Sequence, residues 1–508
     1  MVPRVLPLVC LMACAPPSVV VTVEARPTVA PLDQLDVRVQ DMQGVVTTKT
    51  FPLTDVRLPA TFVVDTEGRD GSITISATGI DVIGLDERSV PVANGAVDAD
   101  AGVQDAVTLV LEPADQPINS TIRGDQWPVD ALHGAVAGAA LAAGEDGGVI
   151  AVFESPRELR ARRLDKAGRP AMNGTTRTEL DFPIGSDALF LIGRPVISAG
   201  PDGAYLAAWE QPYTAADGVS SSQVWLAGLD ATGAARSPQV LYRSAQVARL
   251  RPRLTPVAGG WLAVWQEPAD PLDDYGGEIR LARIDATTVT PGAPTVVAAG
   301  GIGHQGAQVA VSGDEVLVVW EDSTTASPQL WARRFDAALA PRGAAVAITT
   351  APARVARLTG DASGYVLVYW DDTLLGDAHA WWLQRLEPAG APVGAPVEIA
   401  RTTRYSPDGD VEPTSLAIRA DGVIAVVWAD GDATTGDTDV FLRAFRRDGT
   451  PCGAAQRVNT TMGGAQGLAS VAPFGADAFA VAWGDTSASI DDPDGSAIRG
   501  RIVYVACR

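Results

Sequence analysis

Val316-Leu317-Val318-Val319-Trp320-Glu321 is a run of β-branched and aliphatic residues that ends in an indole and a carboxylate. The same phrase recurs as VIAVFE (149–154), YLAAWE (205–210), WLAVWQ (261–266), VLVYWD (366–371), IAVVWA (424–429) and FAVAWG (479–484). Its aromatic anchors are Phe153, Trp209, Trp265, Trp320, Trp370, Trp428 and Trp483, at intervals of 50 to 58 residues. A near-constant period of this size marks a repeat architecture and has to be read before any local feature.

Around each run the sequence supplies three more short apolar pieces. One precedes it, such as Pro195–Ser198 or Gln308–Val311, joined by a turn such as Asp202-Gly203, Gly259-Gly260, Ser363-Gly364 or Asp421-Gly422. Two follow, such as Leu330–Phe335 and Ala344–Ile348, or Val440–Phe445 in the sixth repeat. Gly and Pro punctuate the pieces throughout, as many short strands and tight turns require. The third piece often ends in Asp-x-x-Gly, as at Asp165…Gly168 and Asp230…Gly233, with Glu387…Gly390 a variant. Asp and Gly at those places suit a turn in which the carboxylate accepts backbone N–H bonds. Asp285 and Asp336 keep the Asp and lose the Gly.

Four antiparallel strands repeated seven times over residues 124–508 resemble a seven-bladed β-propeller. One four-stranded sheet cannot bury both faces alone, and sheets packed around an axis can. The anchors are then core between blades, where a large aromatic fills the gap between twisted sheets. The chain ends just after the third strand of the seventh repeat. Ile118–Ile122, within a linker at 114–123, is the expected fourth strand that closes the ring. Cys507 follows that last strand and Cys452 follows the third strand of the sixth repeat, so a Cys452–Cys507 disulfide is expected.

Residues 19–113 read as a separate β domain. Apolar or alternating runs at Val19–Val23, Leu35–Val39, Ala60–Val64, Ser72–Ala77, Ser89–Val92 and Ala106–Leu111 are separated by turn signals such as Asp70-Gly71 and Asn94-Gly95. In general build this resembles an immunoglobulin- or fibronectin-like β-sandwich, without a Cys…Trp…Cys framework. All 12 Trp residues lie at or after Trp127, which marks the boundary.

At the start of the chain, MVPRVLPLVCLMA (1–13) has one Arg, an apolar run and a small residue, as in a secretory signal; it is too short for a transmembrane span. Leu11-Met12-Ala13-Cys14 resembles the bacterial lipobox. That resemblance implies cleavage before Cys14, acylation there, and a tether over 14–18. Ala15 at the next position resembles lipoproteins sorted to the outer membrane. The expected location is the bacterial cell envelope, with membrane contact through the lipid anchor only and the protein a monomer.

A net charge of −22 excludes nucleic acid as a partner, since that binding relies on basic residues. Acidity concentrates in the connections after the second strands: Glu267–Glu278, Asp371–Asp377, Asp430–Asp439 and Asp485–Asp494. Carboxylates also stand at or just beyond the anchors in Glu154, Glu210, Glu321, Asp371, Asp430 and Asp485. Three readings fit this pattern. The carboxylates cap loop N–H groups. A calcium ion is held by Asp430, Asp432, Asp437 and Asp439, with Asp491, Asp492 and Asp494 a second set. Or two carboxylates work as acid and base on a glycosidic bond, as in propellers that resemble glycoside hydrolases. The three histidines, His133, His304 and His379, fall in different repeats, and motifs for zinc, P-loop nucleotides and serine hydrolases are absent. No catalytic residue is assigned and no cofactor other than calcium is implied. The function expected is a binding module that meets a protein or glycan on its acidic loop face; the alternative is an extracellular carbohydrate-active enzyme.

Overall fold

The computed structural model describes residues 17–29, 32–53, 58–67, 69, 71–83, 88–101, 105–118, 140–144, 147–155, 158–164, 181–186, 195–214, 220–245, 250–268, 277–300, 303–324, 327–371, 379–402, 414–431, 437–487 and 497–507. Apart from one 3-10 turn at Pro201–Gly203, the regular structure among them is all β. No helix of the described residues is long and apolar enough to cross a membrane. The chain divides into two units, Met1–Ala114 and Asp115–Arg508.

The first unit holds β1 (Ser18–Ala25), β2 (Gln34–Asp41), β3 (Val46–Pro52), β4 (Ala60–Asp65), β5 (Ser72–Ile83), β6 (Arg88–Asp100) and β7 (Asp105–Pro113). Two separate packed sheets were expected. The strands instead form one hydrogen-bonded order, β3-β2-β5-β6-β7-β1-β4. The reason is β7, which runs parallel to β1 along its length and also pairs with β6 at Ala93↔Pro113 and Asn94↔Glu112. The sheet curls so that Val19, Leu35, Val64, Ile73 and Leu109 share one core. Asn94-Gly95, expected as a turn, lies inside β6. A Cβ on Gly95 would stand 2.4 Å from the Val110 carbonyl oxygen, so the glycine permits a close backbone approach.

The second unit is a seven-bladed β-propeller of four-stranded blades, at 140–186, 196–243, 253–298, 304–347, 353–402, 414–457 and 466–504, the last completed from upstream. Each innermost strand touches the innermost strand of the next blade, and the seventh touches the first, so the ring is closed. Among the described residues every joint holds at least one apolar cluster, and the joint between blades 2 and 3 holds two. Pleat alternation makes one strand serve two of them: Val316, Val318 and Trp320 enter the cluster with blade 3, and Leu317 and Val319 the cluster with blade 5. That is why the run is apolar at every position.

Phe153, Trp209, Trp265, Trp320, Trp428 and Trp483 are buried anchors of this kind. Blade 5 departs from the pattern. Val316 pairs with Phe335 and Tyr365 pairs with Leu386, so cross-strand register places Tyr369, not Trp370, at the anchor position. Tyr369 packs on the cluster with blade 4, as the other anchors pack on their preceding blades. Trp370 takes the next position, where Glu321 stands in blade 4. It is partly buried on the blade 6 side and stacks on Trp381, with ring centroids 5.9 Å apart.

The two ends of the unit meet in blade 7. The described part of the closing strand is Gln116–Pro117, pairing through Arg499↔Pro117 and Gly500↔Gln116; of the expected Ile118–Ile122, residues 119–122 lie outside the described residues. The Ile118 N–H then donates to the Ile498 carbonyl at 2.7 Å, and the Ile118 side chain is buried in the cluster between blades 7 and 1. Cys452 and Cys507 are disulfide-bonded, and both pack against the cluster between blades 6 and 7. The bond ties the turn after the third strand of blade 6 to the segment after the last strand of blade 7. Replacing both with Ser (C452S with C507S) is expected to lower the unfolding free energy by about 2–4 kcal/mol in loop-entropy terms. Chemical denaturation of the oxidised protein and the double variant checks this.

Candidate functional site

The second strands of all seven blades end on one face of the ring, and their final residues carry the repeated carboxylates. Cross-strand register divides these into two groups. Glu154, Glu210 and Glu321 directly follow the anchor, with Gln266 in that place in blade 3. By pleat alternation they face the following blade. Asp322, Asp371, Asp430 and Asp485 stand two residues past the anchor and so share its face.

In the first group, Glu210 is buried and its Oε2 accepts the N–H groups of Leu250 (2.9 Å) and Arg251 (3.1 Å), just before the inner strand of blade 3. Arg251 has a φ of 46°, a left-handed conformation that the two hydrogen bonds to one carboxylate help hold. Glu321 Oε1 accepts Gln305 Nε2 (2.8 Å), Ser323 Oγ (2.5 Å) and Arg354 Nη1 (2.7 Å), the last from the inner strand of blade 5. Glu154 lies on its strand, and its side chain is outside the described residues. The described members therefore bridge blades.

The residues considered for calcium are only partly brought together. Asp430 and Asp439 are cross-strand partners in blade 6, Asp437 is exposed, and Asp432, Asp491, Asp492 and Asp494 lie outside the described residues. Asp439 Oδ1 accepts Asn459 Nδ2 at 2.7 Å. Among the described residues no group of three or more His, Cys, Asp or Glu is arranged to hold a metal ion. His304 lies edge-on to Trp320 and 3.7 Å from Asp322 Oδ2. His133 and the side chain of His379 lie outside the described residues, as do the leader and Cys14.

Asp485 belongs to a buried polar network at the closing joint. It accepts Ser487 N–H (2.8 Å), Ser487 Oγ–H (2.8 Å) and Gln466 Nε2 (3.3 Å), and lies 3.6 Å from Arg499. Arg499 donates to Asp115 Oδ1 through Nη2 (2.8 Å) and Nε (3.2 Å). Asp115 also accepts the N–H groups of Thr460 (2.6 Å) and Thr461 (2.8 Å) and the Thr461 hydroxyl (2.6 Å). Gln466 continues the network through Asn459, whose Oδ1 accepts the Val440 N–H at 2.9 Å. Burial works against the Asp115 carboxylate, yet Arg499 and the Thr460 and Thr461 donors outweigh it and hold its pKa below the ordinary 3.8. Burial dominates at Asp485 and raises its pKa, its hydrogen bonds and Arg499 offsetting only part.

A second set of residues was missed by sequence reading: arginines two places before the last apolar residue of the third strands. Arg333 Nη1 donates to the Val297 carbonyl (2.7 Å), Arg443 Nη1 to Ile399 (2.8 Å) and Arg501 Nη1 to Val458 (2.7 Å). Arg162 Nη1 donates to the Ile118 carbonyl. Each reaches from its own blade to the outer edge of the preceding one. Blades 2, 3 and 5 have Ala227, Ala282 and Gln384 there. The signal was present in ARRL, ARRF, LRAF and GRIV.

No protein-family model matches the chain, and no curated protein matches it significantly. Solved structures resemble it at low similarity. An α-L-arabinanase of Penicillium chrysogenum, complexed with arabinobiose, is 14% identical with a TM-score of 0.41, over 61% of this chain and 92% of that one. A protein of unknown function from Dyadobacter fermentans is 12% identical with a TM-score of 0.42, over 78% and 99%. The β-propeller domain of the Trilobed protease from Pyrococcus furiosus is 8% identical with a TM-score of 0.39, over 73% and 96%. Likeness at this level carries no argument about activity. The strand pairing of the chain itself defines the class, a seven-bladed β-propeller.

Two substitutions separate the roles at the joint. Asp115→Asn leaves Arg499 buried without its main counter-charge and is expected to cost about 3–5 kcal/mol. Asp485→Asn replaces a carboxylate that burial already disfavours and is expected to cost about 1 kcal/mol. Since the Asp115 pKa is lower folded than unfolded, its contribution is present above pH 3.8 and is lost as pH falls through the folded pKa. The gap between the wild type and Asp115→Asn should narrow in that acid window. Thermal unfolding from pH 7 downward checks both statements.

Proposed function

We propose that the propeller is a binding module that recognises a protein or a glycan through the acidic connections following its second strands, on a protein held to a bacterial membrane by acyl chains on Cys14. What supports this reading over the enzymatic one is the use of the strand-end carboxylates. Glu210 and Glu321 are buried and turned to backbone N–H groups and an arginine of the next blade. Asp485 is absorbed in the closing joint. A glycosidase needs two carboxyl groups with oxygens directed at substrate. Glu210, Glu321 and Asp485 direct theirs into the fold. The acidity left to meet a partner is that of the connections Glu267–Glu278, Asp371–Asp377 and Asp430–Asp439 and of Asp491, Asp492 and Asp494. Its field favours partners with basic or cation-bridged surfaces and speeds their encounter at low salt.

The protein starting at Ala15 is incubated with a panel of polysaccharides and assayed for new reducing ends, and in parallel is used to capture envelope components. The expected result is no turnover, together with retention of a partner that drops by about tenfold or more when Asp430 and Asp437, or Asp491 and Asp492, become Asn. Reducing ends that vanish in those variants would instead establish the hydrolase.

A further inference from the structure

Among the described residues the large apolar side chains left in solvent are unevenly placed. Val20, Met42, Val45, Val46 and Val63 belong to the first, smaller unit, and Val240, Val346 and Met462 to the propeller. Strand register places the first five toward one end of the curled sheet. Ser18 pairs with Asp65, Val19 with Asp105, Ser72 with Asp100, Ile73 with Asp41 and Gln40 with Val46, so these residues all stand at that end. Met42 and Val45 form the tip of the β2–β3 hairpin, 74% and 52% exposed, and Val46 at 40% begins β3. Val20 and Val63 are direct cross-strand partners on the outward face, two residues up from Ser18 and Asp65.

The hairpin is held rigidly. Asp41 Oδ1 accepts the N–H groups of Gln43 (3.0 Å) and Val45 (2.9 Å). Arg69, in the β4–β5 connection, donates to Thr47 Oγ1 (2.7 Å) and lies 3.5 Å from Asp41 Oδ2. Met42 lies over that connection, its methyl 2.8 Å from where a Cβ on Gly71 would be. Apolar groups are thus presented on a turn where polar residues would serve the fold as well.

The same end receives the chain from Cys14. Only Ala15, Pro16 and Pro17 separate Cys14 from Ser18, a reach of at most about 14 Å when fully extended. An acylated Cys14 would place this end of the sheet at the bilayer surface, with no long tether to keep it away. We infer that the Met42–Val46 hairpin tip, with Val20 and Val63, is a membrane-docking face that seats the first unit on the bilayer holding the lipid anchor. The inference rests on the lipid-anchor reading given above. Docking is apolar rather than electrostatic, because the charged residues at this end include Asp65, Glu67, Asp100 and Asp105, with Arg69 turned to Asp41. The surface it suits is zwitterionic.

Two exposed methionines supply the test. Met42 lies at the proposed face and Met462, 60% exposed, lies in the propeller. The full-length protein, expressed with its leader, is reconstituted on phosphatidylethanolamine–phosphatidylcholine vesicles and oxidised with hydrogen peroxide. Sulfoxide formation at each methionine is read by peptide mass spectrometry, with the chain from Ala15 in solution as reference. The expected result is a Met42 rate reduced at least about fivefold relative to Met462 on vesicles, and full Met42 reactivity when Val45→Asp and Val46→Asp are combined. Both positions are solvent-exposed, so the pair leaves the core intact. Met42 oxidised as fast on vesicles as in solution overturns the inference. So does protection that survives the double variant, which would be shielding by proximity alone. An unacylated Cys14 in the intact mass, with protein that does not float with vesicles, overturns the anchor reading and the inference together, and this outcome is distinct from the other two.

Discussion

A ring of sheets closes at one seam, here inside blade 7, where the paired strands Ala497–Tyr504 and Gln116–Pro117 come from opposite ends of the unit, and every joint between blades relies on its staying shut. If blades 7 and 1 separate, the apolar faces that carry Val149, Ala151 and Phe153 on one side and Ala480 and Ala482 on the other are opened to water. The strand that seals this joint is short. Gln116–Pro117 contributes two register pairs, and ladder hydrogen bonds add only about 0.5–1.5 kcal/mol each. The chain compensates with side chains. Ile118 fills the cluster, Arg162 covers its carbonyl, and Asp115 gathers Arg499, Thr460 and Thr461. The disulfide then fixes the final segment to blade 6. Apolar burial supplies most of the energy, and the polar groups determine which segment occupies the gap.

This use of polar groups also explains why acidic residues are a poor guide to the working site. A carboxylate in each repeat invites comparison with ligand or catalytic positions. Glu210 and Glu321 show a plainer use: Glu210 accepts backbone N–H groups of the next blade that need an acceptor, and Glu321 accepts the Arg354 guanidinium of the next blade. Arg333, Arg443, Arg501 and Arg162 supply the complementary service, donating to outer-edge carbonyls of the preceding blade. Propeller blades are joined by packing rather than by strand pairing, so unmatched backbone groups at their edges fall to side chains.

The blade count, the strand order within blades and the disulfide were legible because each depends on a period or a position visible in the chain. What was not legible depends on register. VLVYWD offers two adjacent aromatics, and only the pairing of Tyr365 with Leu386 shows that Tyr369 is the anchor. The single sheet of the first unit arises because β7 serves two neighbours, which no local pattern reports. β3 escaped notice because its residues are exposed on nearly every position and lack a period-2 apolar signal. The split of strand-end carboxylates into two facing sets also needs the cross-strand partners to be seen.

Native-state hydrogen exchange on the unmodified protein shows whether the seven-bladed ring is closed, with its last blade completed from upstream of the first. In a closed ring the Ile118 amide and the amides of Ala497–Tyr504 exchange as slowly as those of Glu315–Asp322 in blade 4. Fast exchange at Ile118 and along Ala497–Tyr504, with blade 4 still protected, would contradict it and show the ring open at that joint.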